Sequence, residues 1–225
     1  MMMTRQAAQL ADRIGRRYRL TAGRISLGEL ELPFMRIAEP DRVLDDAVAA
    51  ESRGAGAGRV PYWAELWDAA LALGQFISRT LRGGETVLDL GCGMGLAGAA
   101  AAARGGRVML ADLETQALLL ARLNTLAWHK HVRVRRVNWQ TDRLHQQFDV
   151  ILGADILYER SQWDYLDVFW REHLAAGGRV ILAEPCRSAC DGFSQWAGER
   201  GWTVASLSEP VNTQVRMIRI FELCE

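Results

Sequence analysis

The stretch Val87-Leu88-Asp89-Leu90-Gly91-Cys92-Gly93-Met94-Gly95-Leu96-Ala97-Gly98 constrains this chain more than any other. A short apolar run breaks into glycines and then into an alanine-rich run, Ala99 to Ala103. That order reads as buried strand, tight turn and helix. Glycines let the backbone turn sharply and approach a ligand closely, because no Cβ is in the way. Gly93-x-Gly95-x-x-Gly98 also fits the dinucleotide-binding fingerprint.

Two acidic residues decide between ligands. Asp89 stands two residues before the first glycine, at the expected end of the strand. A carboxylate beside the loop repels a pyrophosphate and attracts an ammonium or sulfonium group. Asp112 ends the next apolar run, Val108-Met109-Leu110-Ala111. It lies at the spacing where an acidic residue takes both hydroxyls of a ribose. A ribose plus a cationic centre, without a diphosphate, describes S-adenosylmethionine (SAM), and this reading is preferred over NAD.

Strand-like and helix-like runs alternate around this centre. Thr4–Arg19 reads as a helix, Ile25–Leu27 and Leu30–Leu32 as short strands, and Arg42–Glu51 as a helix capped by Asp41. Gly54-Ala55-Gly56-Ala57-Gly58 is flexible by composition and marks a boundary. Residues 1–60 are expected to form an N-terminal extension and residues 61–225 the main domain. Pro61–Asp68 opens a helix in which Trp63 and Trp67, one turn apart, share a face. The strand at Val87 and its helix follow. Next come a strand at Arg107–Ala111, a helix over Glu114–His129 and a strand around Val132–Val137. A buried-type strand, Phe148–Ala154, precedes a helix from Trp163 to Leu174. Gly177-Gly178 leads into a strand at Arg179–Ala183, and Asp191–Arg200 is the last helix. The runs Trp202–Leu207 and Val215–Leu223 have no helix between them and form an antiparallel hairpin. The expected fold is α/β: a Rossmann-like, doubly wound, seven-stranded sheet, mostly parallel, with a C-terminal antiparallel hairpin and the N-terminal extension.

Composition removes several classes of function. The 225 residues carry 27 basic and 27 acidic side chains, so no global charge draws the chain to nucleic acid or an anionic membrane. No apolar run is long enough to span a bilayer, and Met1–Gln6 lacks the apolar segment of a signal peptide. A cytoplasmic monomer is expected. The cysteines at 92, 186, 190 and 224 are too few for a disulfide scaffold, and Cys186-x-x-x-Cys190 has no second pair to complete a metal site. No metal is expected. Lys130 is the only lysine.

In a doubly wound sheet the ligand lies outside the carboxyl ends of the strands, where the strand order reverses. Asp89, Asp112, Trp139 and the Asp155-Ile156-Leu157-Tyr158 segment all fall at that edge. Trp139 either covers an adenine face or seals the edge of the sheet. Asp155 either meets the methyl acceptor or caps a helix.

Asp89-Leu90-Gly91-Cys92-Gly93-Met94-Gly95 resembles motif I of class I SAM-dependent methyltransferases. Trp67-Asp68-Ala69-Ala70, Asp112-Leu113-Glu114, Trp139 and Ala154-Asp155-Ile156-Leu157-Tyr158 resemble the seven-β-strand protein-lysine methyltransferases. The resemblance spans residues 61 to 225. It implies cofactor contacts from Trp67, Gly91, Cys92, Gly93, Asp112, Leu113, Trp139 and Ala154, beside the Asp89 inferred above. It also implies that Asp155 and Tyr158 shape the channel for a lysine, so that they are the catalytic candidates and the partner is a protein substrate. Pro61-Tyr62-Trp63-Ala64 is similar to the branch acting on the electron-transfer flavoprotein, whereas Asp68-Ala69-Ala70 is similar to the chaperone-directed branch. The target stays open. A small-molecule N-methyltransferase and a non-catalytic SAM-binding protein are the alternatives. A nucleic-acid methyltransferase is disfavoured, because the Asp155 tetrad lacks the Pro-Pro-Tyr that stacks a flipped base.

Overall fold

A computed structural model describes residues 4–53, 60–211 and 216–225 of the protein. The chain begins with α1 (Arg5–Gly15), β1 (Leu20–Leu27), β2 (Leu30–Ile37) and α2 (Pro40–Ser52). It continues through α3 (Asp68–Thr80), β3 (Thr86–Leu90), α4 (Leu96–Ala103), β4 (Arg107–Asp112) and α5 (Thr115–Asn124). Then come β5 (Val132–Arg136), β6 (Phe148–Ala154), α6 (Trp163–His173) and β7 (Leu174–Glu184). The last elements are α7 (Phe193–Glu199), β8 (Thr203–Val211) and β9 (Arg216–Cys224). The glycine–alanine run at 54–58 and the start of the last strand at Val215 lie outside the described residues.

Seven strands form one sheet in the order β5-β4-β3-β6-β7-β9-β8. The strands from β5 to β7 are parallel, and β9 runs antiparallel to both β7 and β8. Because successive side chains of a strand point to opposite faces, each central strand feeds two cores. Val87, Val108, Leu110, Val150, Leu152 and Ile181 pack with α3, α4 and α5. Leu88, Leu90, Met109, Ala111, Ile151, Val180 and Leu182 pack with α6 and α7. The order reverses between β3 and β6, which puts a crevice at their carboxyl ends.

The alanines of α4 let it lie close on the sheet. A Cβ at Gly98 would stand 2.1 Å from Leu110 Cδ2, so this glycine is demanded by helix-on-strand packing. The N-terminal hairpin β1–β2 is a separate two-stranded sheet. Its Leu27, Leu32, Phe34 and Ile37, with Ile14 of α1, join the core on the α3–α5 side. Asn124 ties it down: its amide nitrogen donates to Met35 O and Met94 O, both at 2.9 Å, and its oxygen accepts from Met35 N at 2.8 Å.

Several local expectations change: the first helix stops at Gly15, short of Arg19, and the second begins at Pro40 with Asp41 inside its first turn. Trp63 and Trp67 do not share a helix face: Tyr62–Ala64 is one 3₁₀ turn, and Trp67 is the extended N-cap of α3. The indole N–H of Trp67 donates to Tyr62 O at 2.8 Å, which folds this segment back on itself instead of extending the helix. The helix expected to reach His129 stops at Asn124, whose side chain is committed to the hairpin, and a 3₁₀ turn over Leu126–Trp128 follows. Gly177-Gly178 lies inside β7, not before it. The strand begins at Leu174 opposite Phe148, and its register shifts between Phe148 and Val150. A Cβ at Gly178 would stand 2.9 Å from the carbonyls of Ala175 and Asp149.

Candidate active site

The crevice at the strand reversal opens into a pocket of about 320 Å³. Trp67, Gly91, Cys92, Gly93, Asp112, Leu113, Trp139, Ala154, Asp155 and Tyr158 all line it. Of the residues expected at the site, Asp89 alone does not. Val60, Tyr62, Trp63, Glu65, Leu66 and Arg187 are lining residues that sequence reasoning did not assign.

The floor is the turn after β3. Gly91 has φ 66°, a backbone conformation that glycine adopts freely. A Cβ there would lie 2.8 Å from Ile156, so the turn needs glycine for space as well. Gly95, with φ 81°, caps α4. Its N–H returns to Cys92 O at 2.8 Å, while Cys92 N donates to Ala111 O at 3.0 Å and ties the turn to β4. Burial pushes the Cys92 thiol well above its ordinary pKa, with Asp112 and Asp89 adding to the effect. It is a packed neutral thiol.

Asp89 faces away from the pocket. It is 1% exposed, beneath the turn, and its carboxylate accepts the Gly98 N–H at 2.8 Å. That N–H is one of the donors left unpaired in the first turn of α4, so Asp89 caps the helix from below. Burial outweighs this bond and raises the Asp89 carboxyl from an ordinary 3.8 to about 7. The expected contact between Asp89 and a ligand cation is therefore replaced by a role in holding the turn.

Asp112 does reach the pocket. Its two oxygens accept the Gly93 N–H and the Glu114 N–H, each at 2.9 Å. Burial raises its pKa, and the bonds from Glu114 and Gly93 oppose that shift. Each oxygen keeps lone-pair capacity toward the pocket, where two hydroxyls could share it. Trp139, beyond β5, donates its indole N–H to Gln162 Oε1 at 3.2 Å, which fixes the ring at the pocket wall.

The opposite wall is aromatic and charged. The rings of Tyr62 and Tyr158 lie 6.2 Å apart, and those of Tyr62 and Trp67 6.5 Å apart. Asp155 follows β6 with φ 53°, rare for a residue with a side chain, and its N–H is held by Ala183 O at 2.7 Å. Its carboxylate is not open: Arg187 Nε and Nη2 donate to it at 3.1 and 2.6 Å. That bidentate contact is the main reason the Arg187 pKa is raised. Arg187 also stands 5.9 Å from the centre of the Trp67 ring. Burial, then the carboxylates of Asp41 and Asp68, raise the pKa of Glu65 at the rim. Among the described residues, no helix is long and apolar enough to cross a membrane.

A pocket at the reversal of a doubly wound sheet, floored by a glycine turn and flanked by a carboxylate after the neighbouring strand, defines an α/β protein of methyltransferase architecture. Solved structures share that architecture. The glycopeptide N-methyltransferase MtfA, in complex with S-adenosyl-L-methionine, aligns with a TM-score of 0.59 at 15% identity over 70% of this chain and 95% of that one. A methyltransferase from Pyrococcus furiosus aligns with a TM-score of 0.56 at 23% identity over 66% and 78%. Residues 49–191 match the family model described as lysine methyltransferase, and the chain belongs to that family. The protein N-lysine methyltransferase METTL21A of Danio rerio is 35% identical over 133 residues, 55% of this chain and 60% of its own length. The electron transfer flavoprotein beta subunit lysine methyltransferase of Danio rerio is 30% identical over 139 residues, 57% and 51%. The matched region thus spans little more than half the length of these relatives.

Proposed function

We propose that the protein transfers the methyl group of SAM to the side-chain nitrogen of a lysine in a protein substrate. The observation that carries this reading is a pocket with two chemically different ends. Asp112, the Gly91–Gly93 turn and Trp139 make one end, and Asp155, Tyr158, Tyr62 and Trp67 make the other. The first end fits a nucleoside: two carboxylate oxygens for ribose hydroxyls, an aromatic face for a base, and glycines where a Cβ would fill the cradle. The second fits a cationic alkyl chain, with aromatic sides and a carboxylate at the end. The protein-lysine methyltransferases among the relatives support the same substrate class.

When bound, SAM supplies an electrophilic methyl carbon, which bonds to the lysine nitrogen as the carbon–sulfur bond breaks and its electron pair returns to sulfur. The chain's own residues have mainly to align and desolvate the amine, and positioning of this kind can supply ~7–11 kcal/mol of the barrier. The Tyr62, Trp67 and Tyr158 rings guide the apolar stem and disfavour the charged form of the amine by excluding water. Asp155 anchors the ammonium as it arrives. The proton then leaves to solvent. Residues 61–225 carry this chemistry in our reading, with residues 1–60 as an N-terminal extension whose β1–β2 hairpin and α1 pack on α3 and α5.

The test is methyl-labelled SAM with a cell extract, using a Lys130→Arg variant so that the enzyme itself carries no lysine side chain. Label on lysine in extract proteins supports the reading. Label confined to small molecules overturns it. Asp155→Ala should keep SAM affinity within about twofold and slow transfer by two to three decades, the ~3–4 kcal/mol expected for a lost orienting charge.

A further inference from the structure

The charged end of the pocket already holds a cation. Asp155 is 9% exposed at its side chain, and its two oxygens are taken by the guanidinium of Arg187, which is 41% exposed. That guanidinium also stands over the ring of Trp67. A carboxylate beside an aromatic face is the environment that binds an alkylammonium. Unusual backbone holds Asp155 itself and the residue that precedes Arg187, while Arg187 is in an ordinary extended conformation. Asp155 has φ 53° and Cys186, just before Arg187, has φ 57°. Left-handed conformations at residues with side chains cost energy and persist where the surroundings impose them, often at functional sites. The Arg187 N–H is pinned to Glu184 Oε2 at 2.9 Å, so the backbone is fixed while the half-exposed side chain can swing. Beside the main pocket lies a second cavity of about 250 Å³. Glu65, Trp67, Asp155 and Arg187 are among its lining residues, so it opens a path to the same ion pair.

We infer that the space between Asp155 and Trp67 is the ammonium subsite of the acceptor, that Arg187 is its resident occupant, and that an incoming alkylammonium displaces Arg187, whose side chain can swing into the adjoining cavity. This rests on the reading that Asp155 faces the acceptor. Arg187 keeps a nearly buried carboxylate paired when no acceptor is present, since an unpaired one would be costly. Once displaced, it remains tethered nearby, where its positive charge favours the neutral amine that the chemistry requires. It also sets selectivity: a neutral acceptor cannot replace it on Asp155.

The experiment uses the full chain, labelled with ¹⁵N at arginine side chains and saturated with S-adenosylhomocysteine. The probe is n-butylammonium, a lysine side chain without its backbone, with n-pentanol as the neutral control. The Arg187 Nε–H signal, assigned by its loss in Arg187→Met, should move and exchange faster with n-butylammonium and stay put with n-pentanol. Arg187→Met should bind n-butylammonium roughly five- to tenfold more tightly, since no half-exposed ion pair has to be broken, with S-adenosylhomocysteine affinity unchanged within twofold. An Arg187 signal that n-butylammonium does not move, or a variant that binds it no better, overturns the inference. So does a tenfold loss of S-adenosylhomocysteine affinity, which would make Arg187 a cofactor ligand. The outcomes separate the two readings: displacement without label on extract proteins defeats lysine methylation alone, and label without displacement defeats the Arg187 exchange alone.

Discussion

Asp89→Asn removes a charge that the fold holds almost out of water. In the native protein burial lifts this carboxyl from 3.8 to about 7. A raised pKa means that the folded state holds the proton more tightly than the unfolded chain does. The resulting stability is fully present below pH 4 and is lost as the pH rises toward 7, above which both states are ionised and the whole cost is felt. At about 1.4 kcal/mol per pKa unit, the full difference is about 4 kcal/mol, of which about 2–3 kcal/mol develops between pH 5 and pH 8. Asparagine keeps an oxygen for the Gly98 N–H and does not titrate in this range. The variant should therefore gain on the native protein by about 2–3 kcal/mol between pH 5 and pH 8. For a chain of this size that is a relative rise of roughly 5–10 °C in Tm. Urea unfolding of both proteins at the two pH values measures it, and the difference between them cancels the other titrating groups. A gap that stays constant within about 0.5 kcal/mol would show that Asp89 is ionised beneath the turn at all these pH values. A gap of opposite sign would mean that its charge stabilises α4 more than burial penalises it.

Asn124→Ala should cost roughly 2–3 kcal/mol, because it leaves the Met35 and Met94 backbone groups without partners; a loss below 1 kcal/mol on chemical denaturation would show that water replaces the amide. Asp112→Ala should weaken SAM binding by roughly tenfold to a hundredfold, through lost hydroxyl contacts and a loosened Gly93 turn. Unchanged affinity by calorimetry in a folded variant would remove Asp112 from the site.

The doubly wound, mostly parallel sheet was legible because strand-like and helix-like runs take turns along the chain, because the continuous apolar runs of β3, β4 and β6 mark strands buried on both faces, and because glycine stands where α4 presses on Leu110. Most of the pocket was legible for a related reason, since residues just past parallel strands converge on one edge. The sense of Asp89 was not. Its position in the strand was right, but a strand has two faces, and the Gly98 N–H that claims it belongs to a helix the sequence could not orient. Arg187 was missed because its meaning lies in a partner far away along the chain, joined only when β6 and β7 pair. The Trp63–Trp67 segment misled because a spacing of four suits a helix as well as a 3₁₀ turn followed by an extended cap.

The sheet order β7-β9-β8 sets a schedule for synthesis. β8 leaves the ribosome before β9, yet its place lies outside β9, so it has nothing to pair with until Cys224 is made. Meanwhile Val180, Ile181, Leu182 and Ala183 of β7 present an open edge, which β9 alone will close. Such an edge is a template for pairing with other chains. β9 can pair with either neighbour only once it is made, so closure of the sheet is a late, non-local step. A ribosome that pauses before residue 216 holds out a finished cofactor-side half of the sheet with its other margin still adhesive.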